Sequence, residues 1–479
     1  MKNKIPDLVV AFGVLVALFS ILADAIVLGK PGVQAAQIFG MEVGATIALF
    51  GIALNILRRK ETSFWNTLRD GIYNLPPLFW ATLGVLPVFV PFVLVPMFFN
   101  SRHAIEYPVE YLQNINPIGN DFRLWLDAMK EWLFHGQTTG YVFTPLAIFL
   151  FAPFLLLGYP VAYYVITIFT LLSYLTLAFL AIALSEVKKH SVIVFIAAVS
   201  LFSYGLQFEL ERGQSHTIAL MLCVLAIYIF HKQPSFRLFA YLLFCASIQL
   251  KFYPALFVVM FVDDWRDWKN NIIRFGALGL TNILALFLLG FSYFSSFYIH
   301  MTKGLSGTSE LFVLNHSVKS FVFILPEIGA KLLGANTSSW VKDNGGMLEI
   351  VFLLIFLICF LTTLVNAYLK NASGVNANLL LVCVIGGMTV PAISHDYMLP
   401  MLAAPFALFV SDLHAREYPW GKWLTILLIV FLSFVYALTL FPIEYKPAYL
   451  QNEFPMLFII LIAATLLNVA QRPHPSPLP

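Results

Sequence analysis

Asp121 is the residue of this chain best placed for acid–base chemistry. It stands in Asn120-Asp121-Phe122-Arg123, at the start of a predicted helix beside the membrane, within an otherwise very hydrophobic sequence. A lone carboxylate at such a point can take a proton from a hydroxyl at the membrane surface. It can equally cap the helix, the commoner role for Asp at a helix start. Lys251 is the second candidate. It lies inside the apolar stretch from Leu242 to Val262, where a charge costs a few kcal/mol and calls for a partner. A phosphate would serve, since an ammonium is a compact point charge that binds phosphate well; the alternative is a lysine that snorkels to the interface. Glu209, Glu211, Arg212, Gln214 and His216 form the densest polar cluster between two apolar segments. They read either as a binding cluster or as an ordinary hydrated turn.

The elements that must hold these residues are membrane helices. Of 479 residues 60% are hydrophobic and only 11% charged, and the mean hydropathy is +0.84, whereas soluble domains carry roughly 25% charged residues. Apolar segments near 8–29, 36–57, 76–99, 161–184, 191–206, 216–231, 271–293, 347–369, 377–393, 396–411, 422–441 and 454–470 predict an all-α, polytopic transmembrane helical bundle with about twelve to fourteen spans. No linker separates a soluble domain, so residues 76–479 read as one membrane domain, preceded by two amino-terminal helices over 1–75. The first segment carries Asp24 and is too long for a signal peptide, so it reads as a retained span. Asp24 and Glu42, near the outer ends of the first two spans, read as helix-pairing acids.

Basic residues report the topology. Lys2 and Lys4, Arg58-Arg59-Lys60, Lys188-Lys189, Lys232 with Arg237, Arg266 with Lys269, Lys370, and Arg416 with Lys422 flank spans and predict the cytoplasmic side. Two long outer loops, 100–142 and 294–346, then fall on the opposite face together with 209–214 and 394–397. The net charge of +3 comes without a basic stripe, so nucleic acid is not implied. Cys223, Cys245, Cys359 and Cys383 lie in apolar spans without metal-ligand spacing and read as packing residues. No P-loop, GxSxG, HExxH or dinucleotide fingerprint is present. Residues 143–158, with Pro145 and Pro153, and 237–263, interrupted by Lys251 and Pro254, predict broken helices. Such backbone at membrane depth must be buried in protein or line a cavity.

From Phe122 the residues Trp125, Leu126, Met129, Trp132 and Leu133 recur at helical spacing opposite Arg123, Asp127, Lys130 and Glu131. This predicts an amphipathic juxtamembrane helix in the first outer loop. In chain order this helix, Gly136, Tyr141, Thr144-Pro145-Leu146, Pro153, Glu211-Arg212-Gly213-Gln214 and Lys251-Phe252-Tyr253-Pro254 resemble glycosyltransferase family 87, from about residue 76 to about 412. The resemblance implies a C-type glycosyltransferase fold in a multi-pass cell-membrane protein. It also implies transfer of a mannose, arabinofuranose or related sugar from a polyprenyl-phosphate donor to a lipid or glycan acceptor on the non-cytoplasmic face. Asp121 becomes the expected general base, and Lys251, Gln214, Arg212, Glu211, His216, His316, His395 and Tyr141 the expected donor-phosphate and substrate contacts. Gly213 and Gln214 match the family's pattern, while His216 stands where the family carries Asn. Asn315-His316-Ser317 is similar to its Asn-Gln-Ser segment, and Ser394-His395-Asp396-Tyr397 to a late His-Tyr stretch. Asp121-Phe122-Arg123 is not a DxD pair, so no metal or other cofactor is expected, with Asp127 the one possible second acid. A transporter or lipid flippase would also explain broken helices and intramembrane acids, but it should show related halves, and no repeat is visible. A ligase of the O-antigen type would place Arg and His in a late outer loop, yet 294–346 contains no arginine.

Overall fold

The computed structural model describes residues 7–16, 119–136, 143–185, parts of 193–200, 204–306, 315–333, 335–371, 374–415 and 452–470. Most of the amino-terminal pair of spans, Tyr141 and the segments 76–99 and 422–441 lie outside them. The described elements are helices: α1 (Asn120–His135), α2 (Pro145–Phe151), α3 (Tyr159–Leu184), α4 (Tyr204–Arg212), α5 (His216–Lys232), α6 (Arg237–Leu250), α7 (Trp268–Ala285), α8 (Phe291–Ser306), α9 (Val318–Leu333), α10 (Ala335–Asp343), α11 (Gly345–Lys370), α12 (Ala377–Thr389), α13 (Ala403–Ala415) and α14 (Phe454–Ala470). The stretch 294–346 thus carries α9 and α10 rather than plain loop. Among the described residues the one β pairing is an isolated bridge between Asn315 and His395.

The protein is an all-α polytopic membrane protein. Among the described residues Val161–Leu184, Gly345–Lys370 and Asp396–Leu413 are long and apolar enough to cross a membrane, and six shorter apolar helices accompany them. The helices differ in what surrounds them. All of α12 is buried, as befits a helix that is hydrophobic on every side, whereas α11 presents Ile350, Leu354, Ile358 and Leu361 outward.

Local sequence explains the two broken segments. Thr144 caps α2, its side chain accepting from the Ala147 amide at 3.3 Å, and Pro145 follows at the first helical position, where its missing N–H costs nothing. The Thr144 hydroxyl also donates to the carbonyl of Gln249, tying α2 to the end of α6. There Lys251 is extended (φ −150°, ψ 138°), three residues before Pro254, and the chain resumes as a 3-10 helix over Tyr253–Met260.

Two cores result. The larger centres on α5, α6, α12, α13 and α14, with Phe230, Phe244, Phe257 and Phe406 fully enclosed. The smaller gathers Phe122, Trp125, Leu126 and Met129 of α1 with Ile148, Phe151, Tyr163, Tyr293 and Phe297. The amphipathic face predicted for α1 therefore packs into protein, with Phe122 edge-on to Phe154 at 5.4 Å and Trp125 edge-on to Phe143 at 5.0 Å. Leu133 alone of that predicted face is exposed.

Candidate functional site

Two glycines bring the charged residues together. Helix α4 ends in a Schellman turn: the Gln214 amide donates to Glu209 O and the Gly213 amide to Leu210 O, both at 3.0 Å. Gly213 is left-handed (φ +67°), and so is Gly119, the residue before α1 (φ +75°). The two backbones nearly touch, for a Cβ at Gly213 would lie 2.7 Å from Phe122 Cβ and 3.4 Å from Gly119 Cα. The Gly119 amide donates to Glu211 O at 2.7 Å, and the Tyr163 hydroxyl braces the same turn through Leu210 O at 3.0 Å. This crossing sets the first turn of α1 against the last turn of α4.

Asp121 is therefore not a cap. Gly119 occupies the cap position of α1, without a side-chain bond, and the Asp121 carboxylate turns to α4 instead. Arg212 grips it with both ends of the guanidinium, Nη2 at 2.5 Å from Oδ1 and Nε at 2.7 Å from Oδ2. Gln214 Nε2 donates to Oδ2 at 2.5 Å. Lys251 completes the chain, donating from Nζ to Gln214 Oε1 at 3.0 Å while it lies 4.9 Å from the centre of the Trp125 ring. Trp125 follows Asp121 by four residues and so shares its helix face. The cluster is largely enclosed, the Asp121 side chain being 11% and that of Arg212 19% exposed.

The sequence profile of glycosyltransferase family 87 matches residues 141–394, more than half of the chain. The chain belongs to glycosyltransferase family 87. No curated protein and no solved structure matches it. The matched region contains Arg212, Gln214, Lys251 and His316; Asp121, His395 and Asp396 lie just outside it.

Membership makes this protein a membrane glycosyltransferase, which acts on a sugar donor and an acceptor, and gives the acid–base cluster a context. Glu209, on the buried side of the same turn, accepts from the Thr217 amide at 2.7 Å and its hydroxyl at 2.5 Å. It thereby fastens the start of α5 to the end of α4. Burial pushes its carboxyl up to about 7, against the opposing pull of those Thr217 bonds and of Lys251. The turn is not a hydrated one: Glu209, Glu211, Gln214, Ser215, His216 and Thr217 are all buried.

The histidines fall into a neighbouring centre. His216 opens α5, stacks on Tyr253 with ring centres 6.0 Å apart and lies 5.1 Å from Tyr397, which also lies 5.2 Å from His395. His316 is completely enclosed. Its Nδ1 accepts from the Glu453 amide at 3.1 Å, so Nε2 carries the proton and donates to Asp396 Oδ1 at 2.5 Å. In this arrangement neither ring nitrogen of His316 is left to meet a substrate. Of the expected contacts, Glu211 serves through its backbone carbonyl, and Tyr141 lies outside the described residues. Sequence reasoning passed over Trp125 as a partner of Lys251 and Glu209 as an anchor of the turn. The spacing of four between Asp121 and Trp125, and the run Glu209-Leu-Glu-Arg-Gly213 ending in a glycine, were the available signals.

Proposed function

We propose that this protein transfers a single sugar, a mannose, arabinofuranose or related residue, from a polyprenyl-phosphate donor to a lipid or cell-envelope glycan acceptor at the non-cytoplasmic face of the cell membrane. The observation that carries this reading is the Asp121–Gln214–Lys251 chain, which sets one carboxylate and an ammonium on opposite ends of a single amide. Asp121 removes the proton from the acceptor hydroxyl as that oxygen bonds to the anomeric carbon. The bond from carbon to phosphate oxygen breaks, and its electron pair leaves on the polyprenyl phosphate. Lys251 neutralises that developing charge.

The α5–α6 hairpin supports this side of the membrane. Its open end carries His216 and Lys251, while Lys232, Arg237 and nearby Arg274 gather at its turn, about 25 Å away along seventeen helical residues. Basic clusters favour the cytoplasm, which supports the reading of Asp121 at the outer face. Transfer is proposed to need no metal. Asp121 is already held by Arg212 and Gln214, and Asp127 points away to pair with Arg123 at 3.9 Å on the exposed face.

The test is transfer by the purified full chain from a panel of polyprenyl-phosphate sugars, each with and without excess EDTA. Turnover from at least one of them, undiminished by EDTA, is expected. Turnover only from nucleotide sugars would sink the donor assignment, and EDTA-sensitive turnover restored by Mg²⁺ or Mn²⁺ would show a metal site.

A further inference from the structure

Asp121 is held in a form ill suited to act as a base. Both of its oxygens accept hydrogen bonds, three in all, which leaves one of the carboxylate's roughly four lone-pair sites for an acceptor proton. A general base must be free to take that proton within hydrogen-bond reach. The donor lipid brings a second demand for the same partner, because a guanidinium fork fits a phosphate's paired oxygens as well as it fits a carboxylate. Among the described residues Arg212 and Lys251 are the cations joined to this cluster; Arg123, two residues from Asp121, faces away over the Tyr159 ring.

Resting on the reading of Asp121 as base and of a phosphodiester-linked donor, we propose that Arg212 is a switching residue, handed from the Asp121 carboxylate to the donor phosphate when the donor binds. The arrangement makes donor arrival the event that frees the base. The long Arg212 side chain can make this exchange without moving the backbone that carries it. The Schellman turn at Gly213 and the Glu209–Thr217 anchor stay in place, and Gln214 keeps Asp121 oriented. The cluster of the empty protein is thus a latch that stops Asp121 from acting before a sugar is present.

Competition has a signature that a fixed structural pair lacks. If the carboxylate and the phosphate share one guanidinium, removing the carboxylate's charge must tighten donor binding even as it abolishes transfer. The probe is a polyprenyl methyl phosphodiester, which has no sugar to lose, titrated calorimetrically into the full chain in detergent. Asp121→Asn is expected to bind it about ten-fold more tightly than the native protein, as suits the loss of one competing charge-assisted hydrogen-bonded pair. Arg212→Gln is expected to bind more weakly, and adding Asp121→Asn to it to change affinity less than about two-fold. Arg212→Lys keeps the charge without the fork, so the gain from Asp121→Asn in that background should be intermediate; it carries the comparison should Arg212→Gln not fold. Equal tightening with and without Arg212 would overturn the switch, leaving simple repulsion between carboxylate and phosphate. Unchanged or weaker binding by folded Asp121→Asn would also overturn it, making Arg212 a permanent anchor. Native protein that ignores the phosphodiester but binds a nucleotide sugar would instead refute the donor assignment on which the switch rests.

Discussion

Two buried carboxylates of this protein, Asp121 and Asp396, are held in opposite ways. Asp121 is bound by the tips of long side chains, Arg212 and Gln214, and keeps some exposure. Asp396 is enclosed with His316, which is itself pinned by the Glu453 amide. Around that second pair the backbone joins in: the His316 amide donates to Ser394 O at 2.6 Å, and Asn315 bonds to Ala392 O and the Ser394 amide. Asn452 reaches across to Asn315 O at 2.8 Å. Bonds made by the tips of long side chains can be exchanged for bonds to a ligand, whereas bonds that tie one stretch of backbone to another, directly or through a short enclosed side chain, cannot be broken without opening the fold. The first centre is suited to chemistry, and the second to joining three distant parts of the chain beside it.

Matched substitutions test that contrast. Asp121→Asn should lower transfer on the order of 100- to 10,000-fold, the usual contribution of a general base, while leaving the melting temperature in detergent near native. His316→Ala should do the reverse, since it strands Asp396 without its partner; losing one member of a buried pair costs about 3 to 5 kcal/mol. A His316→Ala protein that melts normally yet turns over no sugar would erase the distinction and move the second centre into the reaction.

Lys251→Met comes next in size. Removing a preorganised donor from a developing charge typically slows a reaction roughly 100- to 1,000-fold, and binding of the lipid donor should weaken with it. Lys251→Arg should recover part of the loss, because it restores the charge without the compact ammonium. Equal turnover in Lys251→Met and the native chain would leave Lys251 as a packing partner of Trp125.

The sequence disclosed these centres unevenly. Helical spacing marked α1, and Pro145 and Pro254 marked the two breaks, because covalent rules about proline act within a few residues. Lys251 was visible for the same reason that it matters: a charge in an apolar stretch needs a partner. What stayed hidden was which partner it takes. Arg212 and Gln214, expected to hold a phosphate, turn to Asp121, 91 and 93 residues earlier, a pairing that depends on the contact of Gly119 with Gly213 rather than on any local pattern. The His316–Asp396 bond and the Asn315–His395 bridge likewise join segments about 80 residues apart, which no periodicity announces.

That glycine contact supplies a smaller effect. Gly213→Ala would place a methyl group in a left-handed residue and against Phe122 Cβ, a strain of about 1 to 3 kcal/mol. The crossing should loosen, so both stability and transfer should fall. Gly136 also has a positive φ but nothing near its Cβ, so Gly136→Ala should disturb stability less and transfer hardly at all. Equal effects on transfer would mean that the crossing does not position Asp121.

The smallest expected effect is a slope with pH. Glu209 has its carboxyl raised by burial from 4.5 to about 7, so between those values the folded chain retains a proton that the unfolded chain has released. Stability is then greatest at the acid end of that window and declines as pH rises toward about 7, beyond which Glu209 adds no further slope. This contribution belongs to the anchor of the turn. The melting temperature of the native chain should therefore fall relative to that of Glu209→Gln, which keeps an acceptor for Thr217 without a titrating charge, as pH rises from 5 through 6 to 7. A difference between the two proteins that stays constant with pH assigns the titration to another group and frees the turn from any part in it.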